Sequence, residues 1–213
     1  MKKDNVLGTP FYRFYYDKSK VDDVLQNLKR LKFRANGEDY PNNTNWIWDG
    51  VSKDGTGSNL HEMNCFSDIF GWIQECLDEV AYDMGMQNRL KVNAAWANLN
   101  KPGDYFFDHI HSNTFVSSNY YASGHSRDHT IWTMKNPYFH STNIYPCGPD
   151  MSRYYLMHKE PTEPGKYIVF PSTIMHRTEP NTYHDDRITI ACDAFPTGLI
   201  SQGYTSRLKV QVL

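Results

Sequence analysis

Hydrophobic positions along the chain change period once, from helical spacing before about residue 86 to strand-like spacing after about residue 91. In the first part, Val21, Val24, Leu25, Leu28 and Leu31 recur between charged residues at intervals that predict a short amphipathic helix over 18–31. Residues 34–64 are polar and rich in Asn, Asp and Gly and read mainly as loop, with Trp46 and Trp48 marking one short strand inside it. Ser67 then offers an N-cap to a second helix running to about Met86, with Ile69, Phe70, Trp72, Ile73, Leu77, Val80 and Met84 on one face. The plain account of that stripe is a helix packed on a sheet.

From Lys91 onward the pattern predicts short strands over 92–99, 105–111, 115–122, 130–134, 154–158, 167–170 and 187–195. Turn signals separate them, among them Lys101-Pro102-Gly103-Asp104, Pro161 to Gly165 and Pro180 to Asp186. A doubly wound parallel sheet needs helices between its strands, so this order favours a sandwich, barrel or jelly roll. The expectation is an α+β chain, mainly β, with a jelly-roll core and helices that support its sheet.

Composition narrows the function classes. The chain has 213 residues, enough for one domain with its own core, and its 39% hydrophobic content is that of a globular protein. A net charge of −2 gives no global basic field to recruit nucleic acid or an anionic membrane. The start MKKDNVLGTPFYRFYY lacks the apolar run of a signal peptide, and no segment approaches the ~20 apolar residues of a membrane span, so a soluble, intracellular protein is expected. Cys65, Cys76, Cys147 and Cys192 form no C-x-x-C pair and read as free thiols; a metal would have to come from His and carboxylates.

The chemistry concentrates in three segments. In FDHIHSN, His109 and His111 are two apart in a stretch of strand character, so both imidazoles leave the sheet on one face and can meet one ion. In KYIVFPSTIMHRTEPN, His176 stands where the chain turns out of the sheet; a lone His there is more often a hydrogen-bonded structural residue. In RITIACDAF, Arg187, Thr189 and Ala191 alternate with Ile188, Ile190 and Cys192, which puts a guanidinium on the face opposite the apolar one. A buried Arg needs an anion, and Asp193 or Asp104 is available within the chain. The order H-x-H, distal His, then Arg eleven residues later is also what a metal plus dicarboxylate site requires.

These segments resemble the 2-oxoglutarate and Fe(II)-dependent oxygenases common in phages and marine bacteria, an H-x-H variant of the prolyl-hydroxylase-like superfamily. The likeness runs through GTPFYRF (an N-terminal strand), SDIFGWIQECLDEVAYDMG (a supporting helix), AWANLNKPGDY, HIHSNTFVSSNYYA, GKYIVFPSTIMHRTEPN and DDRITIACDAF. Ser118 stands where that family usually has Gly, and His111 where the wider superfamily has Asp or Glu. The resemblance implies a double-stranded β-helix (jelly roll, cupin-like), as one domain over 1–213. Within it, 1–90 would hold the N-terminal strand and supporting helices, 91–200 the jelly-roll core and 201–213 a C-terminal extension.

The resemblance further implies His109, His111 and His176 as iron ligands and Arg187 as partner of the distal carboxylate of 2-oxoglutarate. With Fe(II), 2-oxoglutarate and O2, the reaction would be hydroxylation with release of succinate and CO2. Asn98, Thr189 and Tyr120 are further candidates for cosubstrate binding, Asn98 by alternation with Trp96 and Asn100, Thr189 by sharing the face of Arg187. Tyr120 and Tyr121 point to opposite faces, so at most one lines a pocket. Asp108 could serve as a substitute carboxylate only if a bulge turned it.

His125 and His129 have helical ligand spacing but sit in loop-like sequence, and Ser123 to Arg153 reads as a substrate-facing flap. Three-His sites also suit Zn(II), which keeps open a zinc enzyme or other jelly-roll metalloenzyme without 2-oxoglutarate; a non-catalytic binding module or viral structural protein is the other alternative. The substrate, a protein side chain or a metabolite, is not specified, near-neutral charge disfavours a nucleic-acid duplex, and a cytoplasmic location is expected, in a host if phage-encoded.

Overall fold

Alternation along β-forming segments dictates two sheets with an apolar face each to bury, and the helices cover one of them. The computed structural model describes residues 1–6, 8–36, 44–48, 50, 58–135, 155–200 and 208–212. In chain order the elements are β1 (Lys2–Val6), β2 (Thr9–Tyr15), α1 (Lys18–Lys29), β3 (Arg34–Ala35), β4 (Trp46–Trp48), α2 (Ser67–Asp83), β5 (Leu90–Asn100), β6 (Phe106–His109), β7 (Val116–Tyr121), β8 (His129–Lys135), β9 (Tyr155–Pro161), β10 (Lys166–Pro171), β11 (Met175–Thr178), β12 (Arg187–Pro196), β13 (Gly198–Ile200) and β14 (Leu208–Val210). One sheet runs β1-β2-β10-β7-β12-β5-β4-β3, a second runs β6-β11-β8-β9, and β13 pairs with β14. The expected mainly-β jelly roll with helical support is thus the observed fold.

Strand parity sorts the side chains of the large sheet. On β12, Ile188, Ile190 and Cys192 join Tyr12, Phe14, Tyr120 and Tyr167 in a core that also takes Val21, Val24 and Leu28 of α1 and Ile69, Ile73, Leu77 and Val80 of α2. The opposite face carries Phe11, Tyr121, Ile168 and Phe170, which meet Trp132 of the small sheet and Ile174 in a second, inter-sheet core. The same parity places Arg187, Thr189, Ala191 and Asp193 toward the space between the sheets.

Differences from the sequence reading are local. Ser67 is the first helical residue of α2 rather than its cap; the cap position is Phe66, without a side-chain bond. β1 and β2 extend one edge of the large sheet and β3 and β4 the other, so the N-terminal third builds the sheet as well as covering it. His176 lies within β11 rather than beyond a strand end, because four residues after the Pro171 turn suffice to pair with both β6 and β8. The predicted flap resolves into a turn and β8 up to Lys135; the rest of it, residues 136–153 with Cys147, lies outside the described residues, as does most of the predicted C-terminal extension.

A buried ion cluster that includes none of the three candidate metal ligands ties the sheets together. Arg13 of β2 donates through Nε (2.7 Å) and Nη2 to Glu160 Oε1 of β9, and through Nη1 to Asp4 at 2.8 Å. His158 and Lys166 complete the contacts of Glu160, at 2.7 and 3.5 Å. Burial alone would raise the Glu160 pKa, but the bonds from Arg13 and His158 and the nearby cations outweigh it and hold the carboxyl below its ordinary value of 4.5. Its folded-state pKa being depressed, the stability it contributes is present above that value and is lost as the pH falls through the lower folded-state pKa. Glu160→Gln leaves Arg13 and Lys166 buried without their main anion and is expected to lower unfolding stability by ~3 kcal/mol in urea titrations, while flattening the acid limb of the stability profile. A loss under ~0.5 kcal/mol, the scale of a surface pair, would contradict the assignment.

Candidate metal and cosubstrate site

Antiparallel pairing of β6 and β11 sets His176 directly opposite His109, and His111 is held two residues beyond by its backbone N–H, which donates to Ser172 O at 3.1 Å. The three rings gather with centroids 4.2 Å (109–176), 5.0 Å (111–176) and 5.2 Å (109–111) apart, and one ligand nitrogen of each lies within 4.8 Å of the others. Every Nδ1 is already engaged: His109 with Phe107 O at 2.9 Å, His176 with Ile174 O at 3.1 Å, His111 with Asp193 Oδ1 at 2.7 Å. Bonds to acceptors make each Nδ1 the protonated nitrogen, so each Nε2 keeps its lone pair for a ligand.

Apolar walls fix the rings and exclude water. Phe106 stands edge-on to His109 at 4.3 Å, Phe170 edge-on to His176 at 4.9 Å, and Trp96 stacks on His111 at 5.5 Å. Burial pushes the His109 pKa down to about 4 and, with His109 and His111 as neighbours, holds His176 well below its ordinary range. Oriented imidazoles converging on one point, two of them held neutral by burial, fit a divalent transition metal.

The triad opens on a cavity of about 380 Å³ between the sheets, bordered by Trp96, Asn98, Asn100, Tyr121, Thr130 and Thr189 among others. Beyond this wall lies Arg187, 1% exposed, on the same strand face as Thr189. Its Nη2 donates to Glu179 O at 2.8 Å, while Nε and Nη1 have no hydrogen-bond acceptor. The nearest carboxylate is Asp128, whose Oδ2 is 4.0 Å from Nη1 and makes no hydrogen bond; its Oδ1 is taken by Thr182. A buried guanidinium with two unfilled donor positions is set up for an incoming carboxylate.

Residues 94–193, which contain the triad, Arg187 and the cavity strands, match the model of a family described as "Putative 2OG-Fe(II) oxygenase". These residues are similar to a 2OG-Fe(II) oxygenase core. The fold is also that of solved oxygenases. The epimerase SnoN from nogalamycin biosynthesis, non-heme and alpha ketoglutarate dependent, is 9% identical with a TM-score of 0.65 over 88% of this chain and 77% of its own. A Pseudomonas putida prolyl-4-hydroxylase is 10% identical, TM-score 0.57, over 86% and 91%. HygX from Streptomyces hygroscopicus, solved with nickel and 2-oxoglutarate bound, is 12% identical, TM-score 0.58, over 88% and 83%. No curated protein matches by sequence.

The fold brings together His109, His111 and His176, and Asn98 and Thr189 border the cavity. Tyr120 does not: it is fully buried among Tyr16, Trp72 and the helices, because it pairs with Ile190 on the apolar face of β12, and Tyr121 takes the cavity position through its pairing with Thr189. The β7–β12 register is what separates the two, and the Tyr121 hydroxyl donates to Thr130 Oγ1 at 2.8 Å.

The in-chain anions offered for Arg187 are used elsewhere, Asp104 capping its own turn at Lys101 N and Asp193 holding His111. β6 is irregular against β11 between Phe106 and His109, yet this does not turn Asp108 to the triad: it pairs with Arg177 at 3.1 Å. His125 stacks on Tyr183 and His129 bonds Glu179, so this pair forms no second ligand group; among the described residues the triad is the one such cluster.

Removing one imidazole should empty the site while leaving the fold. For His109→Ala and His176→Ala, Co(II) affinity by visible titration is expected to fall by at least ~100-fold, since a lost ligand exceeds the 10- to 100-fold effect of a lost outer partner. Unchanged Co(II) binding in either variant would place the metal elsewhere.

Proposed function

We propose that this oxygenase hydroxylates an organic substrate, with Fe(II) held by His109, His111 and His176 and 2-oxoglutarate held at its distal end by Arg187. One observation carries the reading: a metal-ready histidine triad opens on a cavity walled by Thr189, and a buried guanidinium with unfilled donors stands behind that wall on the same strand face as Thr189. A zinc hydrolase of the three-His type would account for the triad but has no use for the unfilled donors of Arg187.

When bound together, Fe(II), 2-oxoglutarate and O2 supply oxidative decarboxylation, which yields succinate and CO2 and puts one oxygen atom into a substrate C–H bond. The chain's own contribution is positional. Arg187 offers a planar fork to a carboxylate and orients the dicarboxylate along the cavity. Thr189 and Asn98, facing the cavity from adjacent strands at paired register positions, offer hydrogen bonds to a bound acid. Tyr121 and Thr130 bridge the two sheets beside it. Trp96, Phe106 and Phe170 keep the metal side dry, which strengthens every electrostatic contact made there.

Substrate would meet the part of the cavity bordered by Arg34, Asn36, Asn45, Ile47, Ser58 and Ile110. Its carboxamides Asn36, Asn45 and Asn98 are linked at 3.3 and 3.5 Å, giving a polar, uncharged wall suited to a hydrogen-bonding substrate such as a peptide or an oxygenated metabolite.

The test is cosubstrate turnover. Under air, Fe(II)-loaded protein is expected to convert 2-oxoglutarate to succinate slowly without substrate, and faster with extracts that contain one. Arg187→Ala should weaken 2-oxoglutarate binding by at least ~100-fold, the weight of a buried charge-assisted pair, and leave Co(II) affinity within about threefold. Equal loss of both would make Arg187 a structural residue, and wild-type protein that yields no succinate would exclude the oxygenase reaction.

A further inference from the structure

We infer that Asp193 is a positioning residue that supplies, through His111, the negative charge which the three-imidazole ligand set lacks. The inference rests on the metal reading above and concerns how this chain compensates a neutral ligand set.

Three observations carry it. First, Asp193 Oδ1 lies 2.7 Å from His111 Nδ1 and also accepts from Ser117 Oγ at 2.8 Å, so one carboxylate oxygen is clamped by two donors from two different segments. Second, the pair is withdrawn from solvent, with side chains 9% and 11% exposed. A buried carboxylate is expensive unless a cation answers it. Among the described residues no Lys or Arg does: His111 is the partner that Asp193 has within ion-pair distance, and Arg187, on the same face of β12, looks to Glu179 and Asp128 instead. Any positive charge that answers Asp193 therefore reaches it through the His111 ring, whose Nδ1 is taken by the carboxylate while the ring gathers with His109 and His176.

Third, Trp96 stacks on His111 at 28° and prevents the ring from rotating away from Asp193, so the carboxylate, the ring and the ligand point stay in line. Asp193 itself is not one of the three groups whose ligand atoms cluster. An ionised acceptor at Nδ1 makes His111 a stronger electron donor at Nε2 and spreads part of one negative charge onto the ligand set. A divalent cation among three neutral imidazoles then carries less than its full charge, without any protein oxygen occupying a coordination position. The position so left free is available to cosubstrate and O2.

Asn at 193 keeps an oxygen for the His111 N–H and nearly the same shape but removes the charge, so Asp193→Asn isolates the effect. Co(II) affinity, measured by competition, is expected to weaken about 10- to 100-fold, with the melting temperature of the metal-free protein moving by a few degrees at most. In a His111→Ala background the same substitution should change Co(II) affinity by less than about threefold, because its route to the metal is gone.

Should Asp193→Asn not fold, the wild-type protein loaded with Zn(II) provides the reading. A His111 ring N–H proton shifted downfield and protected from exchange is expected, and its absence overturns the inference. Asp193→Asn that binds Co(II) like wild type overturns it too, as does an undiminished effect in the His111→Ala background. Those results leave the metal reading standing, since wild-type protein still binds Co(II). Wild-type protein that binds neither ion removes both.

Discussion

The antiparallel register of β6 against β11 is the constraint on which the site depends. It sets His109 opposite His176 across two strands of the small sheet, and a slip of one residue would turn one of the two rings out of the barrel. The register is fixed from both sides: β11 also pairs with β8 over four residues, and the apolar inner positions Trp132, Phe170 and Ile174 leave only one packing of that sheet on the large one. His111 lies past the end of β6, so its place comes from tertiary bonds, the backbone link to Ser172 and the side-chain link to Asp193.

Between the sheets the chain buries an unusual set of charges, each with a different solution. Arg13, Glu160 and Lys166 satisfy one another and join the sheets away from the cavity. Arg187 and Asp128 are both 1% exposed yet stand 4.0 Å apart, close enough to share field but not a hydrogen bond. Asp193 is held by His111 and Ser117, with no Lys or Arg among the described residues paired to it. Complete pairing is what a structural core needs, and the proposed carboxylate and metal sites fall where the pairing is incomplete.

Much of this was legible in the sequence, because the period of apolar residues carries information about faces. The two amphipathic helices, the strand series from residue 91 and the sidedness of Arg187 against Ile188 follow from periods of 3.6 and 2 alone. His109 and His111 were readable as one face. What periodicity cannot supply is which strand lies beside which. Without the β7–β12 register, Tyr120 and Tyr121 are equivalent, and the former was the wrong choice. The partnership of Asp193 with His111 spans 82 residues and depends on β12 running past the end of β6, so a local pattern offered Asp193 only as a partner for Arg187. Asn36 and Asn45 reach the cavity through β3 and β4, which read from sequence mostly as loop.

The claim common to these arguments is that a metal is bound by three imidazoles and no protein carboxylate. X-ray absorption spectroscopy of the Fe(II)-loaded protein, prepared without oxygen and without 2-oxoglutarate, tests it most directly. Three imidazole ligands per iron are predicted, with the remaining coordination made up by light solvent oxygens. Two imidazoles, or a shell that changes when Asp108 or Asp193 is replaced by an amide so as to reveal a direct carboxylate ligand, would contradict the account.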